Sequence, residues 1–319
     1  MFASVGITTV DLFNSGIDQM PEFGGNEFTV NNLAFCENPL QFALGGNGAI
    51  TAFALARLGV PTILCSAVGD DPLGKMAAGW LSEAGVETSR LLQSTDGATA
   101  TTTVMTDAGL NRVSFHHPGA STIYGPADFP ISLMPKLEML LLSSYTLLPQ
   151  WRPEGFVQIA QQARSSNVPT LLDVGPAIGQ VARLEEMEDL LPAIDYFICN
   201  DHEINVCTGQ DELYPAMQAV LSAGAGCVIT KQGEQGASIL QPGQHEPEPI
   251  SGFAVNAHFT VGAGDSFNAG FMLAIHQQKG IQEAVRFANA VAGLVVSAAQ
   301  GSLGAPTLEE TEQFLEQIR

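Results

Sequence analysis

Positive charge is scarce in this chain. Lys and Arg total 12 against 33 Asp and Glu, a formal net charge of −21, and residues 1–56 hold no Lys or Arg at all. A surface of that sign repels phosphate backbones and anionic lipid, so neither nucleic acid nor membrane is an expected partner. The acid excess serves solubility equally well. Cysteine is sparse too: Cys36, Cys65, Cys199, Cys207 and Cys227 make an odd set with no C-x-x-C. That excludes a disulfide framework and points to reduced, mostly buried thiols in a cytoplasmic protein. Long apolar runs are missing; "LEMLLLSSYTLL" (137–148) is too short and interrupted to span a bilayer. The N-terminal "MFASVGITTVDLF" lacks the basic region of a signal peptide. Internal repeats, low-complexity tracts and a long linker are absent as well.

What is present suits a sizeable core: 319 residues, 45% of them hydrophobic. "ASVGITTVDL" (3–12) reads as a buried strand ending at Asp11. Residues 13–46 are polar and rich in Gly, Asn and Phe, with alternation around "NEFTVNNLAF", and predict short strands and turns leaving the main sheet. "GAITAFALARLG" and "DPLGKMAAGWLSEAG" predict helices, the second with Asp71 as N-cap and Gly85 past its end. "TATTTVMT" and "RVSFHH" predict paired strands. Beyond them the strands "EMLLLS", "PTLLDV", "DYFICN" and "GCVIT" alternate with helices at about 153–165, 183–191, 201–208 and 213–223. Such alternation predicts a parallel sheet covered by helices on both faces. "GASIL", a strand near "HEPEPI", and helices at 264–278, 280–299 and 307–318 complete the chain. The expected organisation is one domain, 1–319, with lid strands inserted at about 13–46 and 98–118.

Ligands of open parallel sheets sit at the carboxyl ends of strands. Asp11, Asp173, Asn200 and Thr230 fall at or near such ends, as does the loop "HFTVGAGD" (258–265). In "VGAGD" the small residues leave backbone N–H groups bare at a helix start, where an oxyanion is favoured. Asp265 at that mouth is a candidate general base for an alcohol attacking a phosphoryl group; it could equally be a plain helix cap.

Three segments taken together are more specific. "GGNGAITAFALARLG" followed by "AVGDDPLG", and "FTVGAGDSFNAGF" near the other end, resemble the N- and C-terminal signatures of the ribokinase-like (PfkB) carbohydrate kinase family. "CNDHEINVCTG" is similar to its Asn-x-x-Glu motif, and "ITKQGEQGASIL" to its nucleotide-side strand and glycine turn. The resemblance runs over about residues 3–315. It implies a three-layer α/β/α sandwich with a mainly parallel central sheet and a small β-sheet lid, with ATP and Mg2+ as cofactors. Asp265 matches the family's catalytic base, and Gly262, Ala263 and Gly264 its anion hole. Asp11, Gly45, Gly46 and Asn47 match the sugar-binding side. Asn200 and Glu203 match the pair that organises magnesium and the phosphates, Glu203 through water. Lys231, Gly233, Gly236 and Asn289 match the nucleotide side. Family members often dimerise through lids, so a homodimer is expected.

Departures from the family pattern are informative. Ile50 stands where the family usually has Asn, Ala177 where fructokinase-like members have Arg, and Phe259 where an Asp helps hold a monovalent cation. Phe259 has no oxygen to offer, so potassium activation is not expected. Arg112 is the one cation near the lid, which favours a neutral sugar over a sugar phosphate. Phe13, Phe23, Phe28 and Phe35 keep a nucleoside acceptor open; Ile50 and Phe259 are the support for a non-catalytic binding protein. His116 and His117 point to opposite faces of a strand and cannot chelate together, though one could touch substrate. His202, His245, His258, His276, Trp80 and Trp151 are expected to pack, and Asp70 and Asp71 to shape a turn and a cap. Tyr145 follows the "LLLSS" strand at an edge that substrate could reach.

Overall fold

The computed structural model describes residues 1–318 except 19, 23–25, 27–31, 108–110 and 259. In chain order the strands are β1 (Phe2–Val5), β2 (Thr9–Ile17), β3 (Gln41–Gly45), β4 (Thr62–Gly69), β5 (Leu91–Ser94), β6 (Ala100–Asp107), β7 (Arg112–His117), β8 (Met139–Ser143), β9 (Thr170–Asp173), β10 (Tyr196–Asn200), β11 (Val228–Lys231), β12 (Gly236–Leu240) and β13 (Glu248–Ser251). The helices are α1 (Asn47–Arg57), α2 (Pro72–Glu83), α3 (Glu154–Ser165), α4 (Asp201–Thr208), α5 (Leu213–Ser222), α6 (Ala263–His276), α7 (Ile281–Ser297) and α8 (Leu308–Gln317).

The central sheet has nine strands in the order β13-β12-β11-β10-β9-β8-β1-β4-β5. It is parallel from β11 to β5, while β12 and β13 are antiparallel additions at one edge. Side chains alternate between its faces. Leu140 and Leu142 of β8 enter a core with α3, α4 and α5. Met139 and Leu141 of the same strand enter a second core with α1, α2, α6 and α7. This is why these strands read as continuous apolar runs: neither face meets water.

A second sheet of four strands, β3-β2-β6-β7, stands apart from the first. Its central pair β2–β6 is parallel and its outer pairs are antiparallel. Asp71 anchors it. Besides capping α2 through Gly74 N (2.8 Å), its carboxylate accepts from Thr99 N and Thr99 Oγ1, both at 2.7 Å, just before β6 begins.

Three expectations are corrected. The run 3–12 is not one strand: the chain breaks between β1 and β2, and Asp11 lies in the small sheet rather than at a carboxyl end of the main one. The cause is Gly6, whose bare Cα lets α1 approach; a Cβ there would lie 2.7 Å from Gly48 N. Residues 183–191 do not form an α-helix but two 3₁₀ turns, Leu184–Met187 and Leu191–Ala193. Leu184, Met187 and Leu190 recur every third residue, the 3₁₀ spacing, and Pro192 stops any extension. Strand β5 escaped the sequence because only its first and last residues are buried. Half of the alternation at 26–35, residues 27–31, falls outside the described residues. Elsewhere Trp151 packs as expected, fully buried among Tyr124, Phe129 and Phe156. No helix is long and apolar enough to cross a membrane among the described residues.

Candidate active site

Helix α6 opens at Gly262, which holds φ 84°, a left-handed turn that a side chain would strain. One residue into the helix, Gly264 presents a bare Cα to a cleft of about 350 Å³ at the carboxyl ends of β9, β10 and β11. Asp265 follows, 8% exposed. Its Oδ1 accepts from Asn47 Nδ2 at 2.8 Å, and its backbone carbonyl from Thr51 Oγ1 at 3.1 Å. Both donors lie on α1, so the two glycine-rich segments that are far apart in sequence meet at this carboxylate. Asn47, expected on the sugar side, therefore orients Asp265. Asn47 is itself held by Ser144, whose hydroxyl donates to its Oδ1 at 3.2 Å. Burial, and then the negative charge of Asp173, push the Asp265 carboxyl up to about 6; Lys231 and the Asn47 bond pull the other way.

Behind Asp265 lies a buried ion pair. Lys231 Nζ is 2.9 Å from Asp173 Oδ2 and 3.4 Å from the Gly264 carbonyl oxygen. Asn268, one helical turn beyond Asp265, donates to the same Asp173 oxygen at 2.7 Å, and Gly175 N to the other at 2.9 Å. Burial alone would lower the Lys231 pKa, but Asp173, Glu203 and Asp265 outweigh it and the ammonium stays charged.

Asn200 and Glu203 form a reciprocal cap on α4: Glu203 N donates to Asn200 Oδ1 at 2.8 Å, and Asn200 N to Glu203 Oε2 at 2.7 Å. Glu203 lines the cleft, and its carboxyl is raised by burial and then by Asp173. Among the described residues no group of three or more His, Cys, Asp or Glu encloses a metal position. The donor set fits a divalent ion that takes one protein carboxylate and fills its other positions with water and phosphate oxygens, the habit of Mg2+.

Across the cleft, the small sheet presents Asp11. Ala43, Asp11, Thr102 and His116 are direct neighbours across β3, β2, β6 and β7, so their side chains share one face. Asp11 accepts from Thr9 Oγ1 at 2.8 Å, and Thr102 Oγ1 meets His116 Nδ1 at 3.2 Å. Burial raises the Asp11 pKa, against the hydrogen bonds from Thr9 and Thr102. Gly45 makes this possible: a Cβ on it would sit 2.4 Å from both Asp11 carboxylate oxygens. Gly46 turns the chain from β3 into α1.

Other expected residues fall elsewhere. Gly233 lines the cleft, but Gly236 opens β12 opposite Ser251, and Asn289 donates to the carbonyls of Ile250 and Ser251, each at 3.2 Å. Those two hold β12, β13 and α7 together. Ile50 is buried in α1. Phe23, Phe28 and Phe259 lie outside the described residues, so the expectation for a cation site rests where it stood. Phe35 is 85% exposed. Phe13 lines a separate apolar cavity of about 300 Å³ with Phe42, Val261 and Leu303. Tyr145 is buried, with Arg152 over its ring. Sequence reasoning missed Thr9, Thr51, Thr102, Ser144 and Asn268. Only Asn268 carried a signal, its three-residue offset from Asp265 on one helix.

The comparisons with known proteins agree with the fold. The pfkB family carbohydrate kinase profile matches residues 28–308. The chain is 30% identical over 286 residues to a ribokinase of Haemophilus influenzae, covering 86% of this chain and 88% of that one. It is 28% identical over 272 residues to a nucleoside kinase of Methanothermobacter thermautotrophicus, covering 85% and 84%. Among solved structures, Arabidopsis thaliana ribokinase complexed with ribose and ATP superposes with a TM-score of 0.84 at 25% identity, over 99% of this chain and 98% of that one. Through the matched profile, the H. influenzae relative and the shared mostly parallel sheet, the chain belongs to the pfkB family of carbohydrate kinases.

Proposed function

We propose that this protein is an ATP-dependent kinase that phosphorylates a primary hydroxyl of a neutral sugar. The observation that carries the reading is Asp265: a buried carboxylate oriented by Asn47, at the glycine-rich start of α6, facing a cleft that also holds Lys231 and Glu203. Asp265 takes the proton of the acceptor hydroxyl. The freed oxygen bonds to the γ-phosphorus, and the bond from that phosphorus to the bridging oxygen breaks, its electron pair leaving on ADP. Backbone N–H groups of residues 262–265 receive the charge on the transferred group. Magnesium, when bound through Glu203 and water, supplies further neutralisation of the phosphate oxygens. Asp11 accepts hydrogen bonds from acceptor hydroxyls under the small sheet, which acts as a lid within a single domain and excludes water.

The neutral acceptor follows from charge. Arg112 shares the Asp11 face of the lid but lies four residues along β7 from His116, about 13 Å away. An anionic acceptor would meet Asp11 and Asp265 with no nearby guanidinium. A nucleoside is the second reading, favoured by the apolar cavity beside Phe13 and Phe42. The test is ADP release with MgATP over a panel of free sugars, nucleosides and sugar phosphates. We expect the highest kcat/KM with a free sugar. A sugar phosphate preferred by about tenfold, or 1.4 kcal/mol, would reject the neutral acceptor. A nucleoside preferred by that margin would select the second reading, and no ADP release with any acceptor would reject the kinase.

A further inference from the structure

We propose that Lys231 is a catalytic residue that contacts the transferred γ-phosphoryl group, and that Asp173 and Asn268 form the buried mount that aims it there. This rests on the kinase reading and deepens it: the family resemblance puts Lys231 on the nucleotide side in general, whereas the geometry puts it at the reacting end.

The placement is specific. Lys231 ends β11, and its side chain runs to the first turn of α6, where Nζ lies 3.4 Å from the Gly264 carbonyl oxygen. A Cβ on Gly264 would be 3.2 Å from Nζ. The ammonium therefore packs on the bare backbone one residue from Asp265, within the loop that would receive the phosphoryl oxygens. Asp265 and Glu203 are both close enough to act on its charge.

Charge balance favours such a group. The cleft is lined by Asp173, Asp201, Glu203 and Asp265, and Lys231 is the one Lys or Arg among its lining residues. A triphosphate entering there meets carboxylates of its own sign, and without a protein cation its terminal group would be repelled. Asp173 explains how the ammonium stays in place. It is 2% exposed, and its oxygens are occupied by Lys231, Asn268 and Gly175 N, so it is a structural anion rather than a second base. Lys has three donors. With one on Asp173 and one toward Gly264, a third is left for a phosphoryl oxygen. In the reaction Lys231 neither gains nor loses a proton. It stabilises charge on the equatorial oxygens as the bond to the bridging oxygen breaks and the acceptor bond forms.

The proposal predicts selectivity for the third phosphate, read by binding as well as turnover. Calorimetric titration with magnesium compares ADP against a β,γ-imido ATP analogue in the full-length wild type, Lys231→Met and Lys231→Met/Asp173→Asn. The double variant keeps the volume while removing the orphaned buried carboxylate, so a folding defect of the single variant does not obscure the result. We expect both variants to lose affinity for the analogue by about tenfold or more while ADP affinity changes less than about twofold, with kcat down by about 10²-fold. Lys231→Arg should recover part of the analogue binding. Asp173→Asn alone, leaving Lys231 present but loosely held, should lower kcat more than it changes KM for the acceptor. Equal losses for ADP and the analogue, or no loss for either, would overturn the assignment while leaving the kinase reading intact. A wild type that binds neither nucleotide would overturn both.

Discussion

The two walls of the cleft are built on opposite terms. On the main-sheet side, Asp173, Lys231, Asn268 and Asp265 are joined through hydrogen bonds and an ion pair on well-buried backbone, and α1 and α6 lock together behind them. On the small-sheet side, Asp11 is buried, but His116, Phe42 and Phe115 on the neighbouring strands are exposed, and β7 is exposed along its whole length. Under the proposed function, the first wall is preorganised for a phosphoryl transfer whose geometry does not change from substrate to substrate. The second is far more exposed, and under the proposed function it is the wall that closes over the acceptor. The contrast separates what the residues on each side should control: turnover on one, acceptor selection on the other.

The largest expected effect falls on the rigid wall. Asp265→Asn keeps the bond from Asn47 but cannot accept a proton. Its kcat should fall by about 10²–10⁴, with binding of the ATP analogue retained; near-normal turnover in steady-state assays would remove Asp265 as base. On the small-sheet wall, Asp11→Asn should raise acceptor KM by tens of fold, roughly 2 kcal/mol for a charge-assisted bond, while KM for ATP stays within about twofold. An equal rise in both would break the division between the walls. Thr102→Val removes one hydrogen bond to Asp11 and the contact with His116. It should raise acceptor KM by only a few-fold, about 1 kcal/mol, with kcat unchanged.

A separate effect, on stability rather than activity, belongs to Asp265. Its folded pKa of about 6 lies above the ordinary value of 3.8. Stability is therefore fully present below the unfolded pKa and is lost as pH rises through the folded one. The cost of the charged form is on the order of 3 kcal/mol. Asp265→Asn removes that cost. Its Tm should exceed that of the wild type by a few degrees at pH 8, with the gain gone at pH 4. A gain that persists unchanged at pH 4 would show that the carboxylate is not strained by burial.

Much of this contrast is already written in the chain. The central strands "EMLLLS", "PTLLDV", "DYFICN" and "GCVIT" are apolar throughout because both faces are covered, and they are found where expected. The ends at Asp173 and Asn200, and the glycine loop before Asp265, are legible because a strand ends where polarity returns and because a run of small residues stands out before a helix. The break in 3–12 is not legible, because Gly6 acts through a partner, Gly48, that only the fold supplies. Nor does spacing join Asn47 to Asp265, which are 218 residues apart. Thr102 and His116 become neighbours of Asp11 only through strand register. Asn200 and Glu203 show a different difficulty: one four-residue pattern serves both as a helix cap and at the cleft edge.

The most direct test of the account is the pH dependence of kcat/KM for the acceptor, measured from pH 5 to 9 on the wild type, Glu203→Gln and Asp265→Asn. Glu203 is included because its carboxyl is raised as well. The base must be ionised, so activity should fall tenfold per unit below an apparent pKa of about 6. That acid limb should persist in Glu203→Gln and be absent from the residual activity of Asp265→Asn. A limb that vanishes with Glu203 and survives in Asp265→Asn would contradict Asp265 as the group that takes the acceptor's proton.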